Sequence, residues 1–465
     1  MAYYHSVTLD KDRCRGCTNC IQRCPTEAIR VRGGKAKIIK DRCIDCGECI
    51  RVCSSRAKRA VTDSFDILKN FEYNIALPAP ALYGQFGSDI TADKVLSGLT
   101  EIGFDDVFEV ARAAEYISAL TRKKLEEGSL PQPAISSACP AVVRLITVRF
   151  PSLIDNIVNF LEPMEVAARM ARREAKKKTG LSDDKIGVFF ITPCPAKMTS
   201  IKASIAVNKS AVNGAISVND VYLRLLGVLK NVKTKNLAKA GFEGISWARR
   251  GGESYGTGLQ NYIVVDGIRN VIPILEAMED EKLNDVKFAE FSACPLGCVG
   301  GALNVANSYV SLNNIKNIAE KAGASKPAND EDTDKFVFEK DLVASDAMNL
   351  DKDLSAAMKK MEEIEKMCET MPQFDCGACG APSCKALAED VVRGFAEETD
   401  CIFIMRERVR KITQELYDIS KKYNEGRGMT DEEMLRAKEL SRQLLELEHR
   451  QQSGYNFNVA EMERY

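Results

Sequence analysis

Eight cysteines in the first sixty residues fall into two copies of one spacing: Cys14-x2-Cys17-x2-Cys20-x3-Cys24-Pro25, then Cys43-x2-Cys46-x2-Cys49-x3-Cys53-Ser54. So short a spacing lets consecutive thiolates wrap one face of an iron–sulfur cube while backbone N–H groups bond its sulfides. A zinc ribbon would need only two cysteine pairs. In tandem runs of this kind the fourth cysteine of each run ligates the other cluster. Cys14, Cys17, Cys20 and Cys53 are therefore assigned to one 4Fe–4S cluster, and Cys43, Cys46, Cys49 and Cys24 to a second. The pattern predicts electron transfer.

The rest of the composition narrows the class. Seventeen cysteines and two histidines, His5 and His449, leave little room for histidine-based zinc sites or histidine acid–base chemistry. Both histidines read as exposed terminal residues. In a chain read as intracellular, that many cysteines point to metals rather than disulfides. With 65 basic and 66 acidic residues the charge is balanced, which argues against nucleic-acid or membrane-surface partners. No apolar run approaches the roughly 20 residues of a membrane span, and the start has no signal-peptide core. A cytoplasmic protein is the expectation.

Four more cysteines follow stretches that read as strands. Pro133–Ser137 leads to Cys139-Pro140, Ile186–Ile191 to Thr192-Pro193-Cys194-Pro195, and Val286–Phe291 to Cys294-Pro-Leu-Gly-Cys298 before Gly300-Gly301. Soft ligands delivered by three strand ends, at the sheet edge where open α/β folds bind ligands, predict one metal cluster held by all four. Between these stretches lie helical patterns at Asp105–Lys124 and Pro163–Lys178, and a strand at Asn74–Ala79. Alternating strands and helices predict α/β architecture with mostly parallel sheets in two lobes. Residues 208–267 suggest helices but no chemistry; Trp247 and the nearby glycines read as loop packing rather than pocket lining. No convincing Gly-x-Gly-x-x-Gly supports a nucleotide cofactor. Ala324–Thr333 reads as a linker or surface loop.

Further along, Cys376-x2-Cys379-x4-Cys384 and Cys401, with a helix at Lys385–Phe395, suit another 4Fe–4S cluster, with structural zinc as the competing reading. Cys368 lies on the apolar face of a helix and reads as core. The tail shows two apolar stripes, the second opened by a Thr430–Glu433 capping box. It predicts a helical hairpin, packed on its own domain or forming a homodimer or a contact with another partner.

The strand-end cysteines preceded by a two-cluster run resemble the iron–iron (FeFe) hydrogenases over roughly residues 1–310. By that resemblance, Cys139, Cys194, Cys294 and Cys298 would hold the 4Fe–4S cube of an H-cluster, with Cys298 bridging to a diiron unit that carries CO, CN⁻ and a bridging dithiolate. The likeness also implies that Lys197 would bond a cyanide ligand and that Ala79-Pro80 would line the same pocket. Ala138 stands where high-turnover enzymes have a proton-relaying cysteine, and Ser200 where they have a relay glutamate. Thr192 and Ser292 replace two methionines that touch the diiron unit, and Ala81 replaces a serine. With the extra C-terminal cluster, the chain resembles the family's sensory branch.

The implied layout is a bacterial two-cluster ferredoxin fold over 1–60, an H-cluster domain over 61–342, a helical 4Fe–4S module over 350–404 and a hairpin tail over 405–465. The implied function is slow interconversion of H₂ with protons and electrons, with Lys197 and Cys298 at the reacting centre, in an H₂ or redox sensor. Its partners would be a ferredoxin-like redox protein and a downstream signalling protein. The alternative is a cluster-only iron–sulfur protein, an assembly factor or electron-transfer subunit, without the diiron unit.

Overall fold

The computed structural model describes residues 4–87, 89–325, 336–424 and 428–452. From residue 326 on, the expected loop Ala324–Thr333 lies outside them. The chain forms two compact units. One contains Met1–Thr8, Ile44–Arg51 and Ala60–Asp346; the other contains Leu9–Cys43, Val52–Arg59 and Ala347–Tyr465.

The first unit is built on seven parallel strands: β1 (Tyr73–Pro78), β2 (Asp106–Val107), β3 (Ala134–Ile135), β4 (Ile186–Thr192), β5 (Gly214–Ser217), β6 (Tyr262–Asp266) and β7 (Phe288–Ser292). One sheet has the order β2-β1-β4-β5 and the other β6-β7-β3, all pairs parallel. Every residue of β4, an uninterrupted apolar run ending in threonine, is buried. That is the signature of a parallel strand covered on both faces.

The helices that matter for the site are α1 (Val110–Glu126), α2 (Pro140–Arg149), α3 (Pro163–Thr179), α4 (Pro195–Lys202) and α5 (Gly252–Thr257). Helix α1 begins later than the expected Asp105 because Asp106–Val107 pairs with β1 and the Asp105 carboxylate accepts from Asn74 N at 2.8 Å. Helix α3 ends where its pattern does: Gly180 adopts φ 69 at its C-cap, a left-handed geometry that glycine takes without strain. Strand β3 is shorter than expected. Pro133 has no N–H for a ladder, although Ser136 N still donates to Ala289 O at 3.0 Å.

The second unit joins segments that the sequence suggested were separate domains. The hairpin Ile29–Arg32/Lys35–Ile38 turns through Gly33 and Gly34, both at positive φ. Its Val31 N donates to Gly380 O at 2.8 Å, beyond Cys379. Arg30 forks the Asp390 carboxylate at 2.7 and 3.0 Å, and Arg32 reaches the same carboxylate at 2.9 Å. A buried carboxylate between two guanidiniums is costly to break from either side.

The tail forms helices Ile402–Lys422 and Asp431–Gln452. Thr430 and Glu433 bond reciprocally as a capping box. Lys422–Glu433 and Arg436–Glu415 pair in opposite chain directions, so the two helices run antiparallel and cover one another's apolar stripes at Ile412, Ile419, Leu440 and Leu447. Cys368 packs half-buried on the C-terminal module's core. His5 departs from expectation. Its side chain is 7% exposed and its Nδ1 lies 2.9 Å from Asp45, because the N-terminal segment is drawn into the first unit.

Candidate metal centres

Strands β4, β7 and β3 deliver four cysteines to one cavity of about 110 Å³, lined by Cys139, Cys194, Cys294 and Cys298. Cys139 is the N-cap of α2 and Cys194 of α4, each followed by proline at the first helical position. Proline sets the helical φ in advance and lacks the N–H that would be orphaned there. The helix N-termini favour negative charge on the two sulfurs. Cys294 and Cys298 come from the loop after β7. At Gly297, φ is 86, and at Gly301 a Cβ would fall 2.4 Å from Pro193 O, so glycine lets the two cysteine loops touch.

Burial raises the thiols of Cys139, Cys194 and Cys298, and neighbouring sulfurs add to it; Cys298 is pushed up to about 12. Three thiols whose ionisation is hindered by burial and by neighbouring sulfurs suit a thiophilic metal cluster, which displaces the protons and needs the thiolates together. Two further groups fit an anionic cluster. Arg51 Nη2 is buried and Arg249, a cavity residue, has its Nε buried; neither finds a hydrogen-bond partner among the described residues.

Of the other expected residues, Ala79, Pro80, Ala138, Lys197 and Ser292 line the cavity. Thr192 does not: its hydroxyl donates to Cys194 O at 2.8 Å and accepts from Cys194 N at 3.0 Å, so it shapes the cysteine turn. Lys197 Nζ donates to Ala138 O at 2.8 Å and to Glu162 Oε2 at 2.7 Å. Burial alone would depress this ammonium, but Glu162 and the Cys298 and Cys139 sulfurs reverse that and raise it. Ser200 Oγ donates to Glu162 Oε1 at 2.7 Å.

The segment read as free of chemistry supplies part of the wall. Trp247 lines the cavity, its indole N–H donating to Ser118 Oγ at 2.9 Å, which corrects the loop-packing expectation. Glu253 on α5 and Glu290 on β7 line it too. Glu253 is pushed up to about 8, chiefly by burial and then by Glu290, and it accepts from Ser136 Oγ at 2.7 Å. Glu290 is raised by burial, although Gly251 N and Ser254 N donate to it. One signal for this pair was legible: a glutamate inside the apolar strand Phe-Ala-Glu-Phe-Ser.

In the second unit, Cys14, Cys17, Cys20 and Cys53 line one small cavity together with Lys58, whose Nζ is buried without a partner among the described residues. Ala36 N points at Cys14 Sγ (3.4 Å), and Ala57 N and Lys58 N at Cys53 Sγ (3.2 and 3.4 Å). Ala28 N stands 3.2 Å from Cys24 Sγ, the same four-residue offset as Ala57 to Cys53. Of the other ferredoxin-type quartet, Cys24 and Cys43 belong to the second unit and Cys46 and Cys49 to the first. Cys376, Cys379, Cys384 and Cys401 line a further cavity, with Cys384 opening the helix Cys384–Val392.

Residues 72–243 and 227–302 match the family model "Iron only hydrogenase large subunit, C-terminal domain". Residues 6–54 match "4Fe-4S dicluster domain", and residues 371–403 match a family named for an Fe-S cluster. The Periplasmic Fe hydrogenase large subunit of Nitratidesulfovibrio vulgaris is 30% identical over 216 residues, 42% of this chain and 50% of that one. An uncharacterised protein of Methanocaldococcus jannaschii is 34% identical over 62 residues, 13% of this chain and 28% of that one. The chain thus spans half the length of the first relative and less of the second. Apo FeFe-hydrogenase HydA1 from Chlamydomonas reinhardtii overlays with a TM-score of 0.45 at 14% identity, over 59% of this chain and 95% of that one. Over residues 72–302 the chain is similar to an iron-only hydrogenase domain and over residues 6–54 to a dicluster domain, which makes it an FeFe hydrogenase-like iron–sulfur protein. Among the described residues no helix is long and apolar enough to cross a membrane.

Proposed function

We propose that this protein binds H₂ at a cube-plus-diiron centre in the four-cysteine cavity, interconverts it slowly with protons and electrons, and reports hydrogen or redox state to another protein. The observation that carries the reading is one cavity wall that holds four cysteines, Lys197, and the paired acids Glu253 and Glu290.

When bound, the metal centre would supply the redox chemistry and the site of H–H cleavage. The residues that would hold it are Cys139, Cys194, Cys294 and Cys298, with Lys197, Ala79 and Pro80 around its outer part. The chain's own contribution is protonic and electrostatic. Glu253, with its pKa near 8, holds a proton at neutral pH inside the cavity and can release it to or take it from a neighbouring oxygen. Ser136 Oγ, bonded to Glu253 and accepting from Ala138 N at 3.2 Å, fixes that carboxyl beside the position where a relay thiol is replaced by Ala138. Alanine moves no proton, so transfer must use this longer route. Each tenfold loss of rate corresponds to about 1.4 kcal/mol of barrier. Slow turnover suits a sensor better than a bulk catalyst. Electrons would enter from the ferredoxin-type motif through the turn that carries Cys46 and Cys49.

One observation favours the cluster-only reading. The Lys197 ammonium already has a carboxylate partner in Glu162, so its burial does not by itself require an anionic ligand. Infrared spectroscopy on anaerobically prepared protein, exposed to the diiron maturation machinery, separates the two. Metal-bound CO and CN⁻ stretches that move under H₂ support the proposal; iron and sulfide without such bands support the cluster-only protein.

A further inference from the structure

Arg51 ends the short helix Glu48–Arg51, two residues after Cys49 and two before Cys53. Its guanidinium leaves that motif and reaches the wall of the four-cysteine cavity. Nη1 donates to Gly300 O at 2.7 Å and lies 3.7 Å from Cys294 Sγ. Nε is held by Glu48 at 2.9 Å, while the buried Nη2 finds no partner among the described residues. Beside it, Gly47 adopts φ 78 and lies against the loops that follow Cys194 and Cys298; a Cβ there would come 2.8 Å from Ala302 Cβ and 3.1 Å from Pro195. The turn between two ferredoxin-type ligands is therefore in contact with the loops that carry Cys194, Cys294 and Cys298.

We infer that Arg51 is the positioning residue that couples the ferredoxin-type motif to the four-cysteine centre, fixing the Cys294 sulfur and raising the reduction potential of the cube held there. The charge argument is direct. A cube gains one negative charge on reduction, and a half-buried guanidinium at hydrogen-bond range from one of its sulfurs favours the reduced form. Arginine suits the place because its planar fork serves Glu48, the Gly300 carbonyl and the sulfur at once, which an ammonium cannot do with the same geometry. Lys58 stands beside the first quartet with its own orphaned Nζ, so a buried cation recurs where an anionic cluster is expected. The inference rests on the reading that these four cysteines hold a cube, and not on the diiron unit.

The test uses the full chain loaded with iron and sulfide only, titrated with dithionite and followed by electron paramagnetic resonance. The signal missing from Cys294→Ala identifies the cube; if no signal is missing, the reading of the four cysteines fails and the inference with it. Given a cube signal, Arg51→Gln is expected to shift its reduction equilibrium about tenfold toward the oxidised form, about 59 mV for one electron. Arg51→Lys should recover part of the shift, and signals of the Cys376–Cys401 site should not move. Glu48→Gln, which removes the competing carboxylate, should move the cube the opposite way and remains readable if Arg51→Gln does not fold. A cube potential unchanged in Arg51→Gln, or unchanged or lowered in Glu48→Gln, overturns the inference, as does an equal shift at the C-terminal site.

Discussion

The cavity of Cys139, Cys194, Cys294 and Cys298 and the cavity of Cys376, Cys379, Cys384 and Cys401 both gather four cysteines, yet they are built in different ways. The C-terminal four come from twenty-six consecutive residues, 376 to 401. Their loop is shaped by local contacts: Cys384 N donates to Asp375 at 2.7 Å and Gly380 N to Gly377 O at 2.9 Å. The other four come from three parallel strand ends across residues 139 to 298, and their cavity also admits Lys197, Glu253 and Glu290. A local cysteine loop can hold a cluster and pass an electron. A site that also moves protons needs acids brought in from other elements. Long-range assembly supplies them.

The largest effect should separate the two sites outright. Cys298→Ala should abolish H₂ turnover and any metal-bound CO and CN⁻ bands. Cys384→Ala should lower iron content by about one cluster while leaving those bands in place. Iron assay and infrared spectra on the two variants check this, and loss of the bands in both would collapse the distinction.

Gly380→Ala probes the local loop. Its φ of 82 is strained for alanine, and a Cβ would lie 1.9 Å from Val31 O, so neither the loop nor the hairpin can yield cheaply. A cost of about 2–3 kcal/mol in the second unit is expected. Thermal unfolding followed with iron release should show the C-terminal cluster lost first.

Glu253→Gln keeps the shape of the cavity but removes a group that gains and loses a proton; turnover should fall about 100-fold with iron content unchanged. A linked prediction concerns pH. Glu253 is raised in the folded chain, so the native state binds more protons than the unfolded one between pH about 4.5 and about 8. Its contribution to stability is full below pH about 4.5 and is lost as pH rises toward about 8. Melting temperatures of the metal-free protein over that window should fall with pH, and less so in Glu253→Gln.

The smallest expected change is a gain. Ala138→Cys places a thiol on the cavity wall and should raise H₂ turnover about tenfold in fully loaded protein. Ser200→Glu is not its equivalent here, because Ser200 Oγ sits 2.7 Å from Glu162 and a carboxylate there would face another. The double variant should therefore gain less than Ala138→Cys alone.

Much of this was legible without coordinates, for a physical reason. Cluster ligation demands cysteines at fixed short spacings, and a strand that ends in Cys-Pro before a helical pattern announces its own geometry. The sixteen ligand candidates, the parallel α/β class and the tail hairpin come from such local rules. Which groups share the cavity is a matter of long-range packing. Glu253 and Trp247 lie in a stretch with no motif, and only the pairing of β6 with β7 and the docking of α5 bring them beside Glu290. The partition into units was hidden in the same way. No local pattern links Arg30 and Arg32 to Asp390, some 360 residues away, which takes both in a buried carboxylate pairing. Sequence determines which candidate ligands exist and how each is presented; tertiary structure decides which charges and acids face them, because those contacts depend on distances no local pattern encodes.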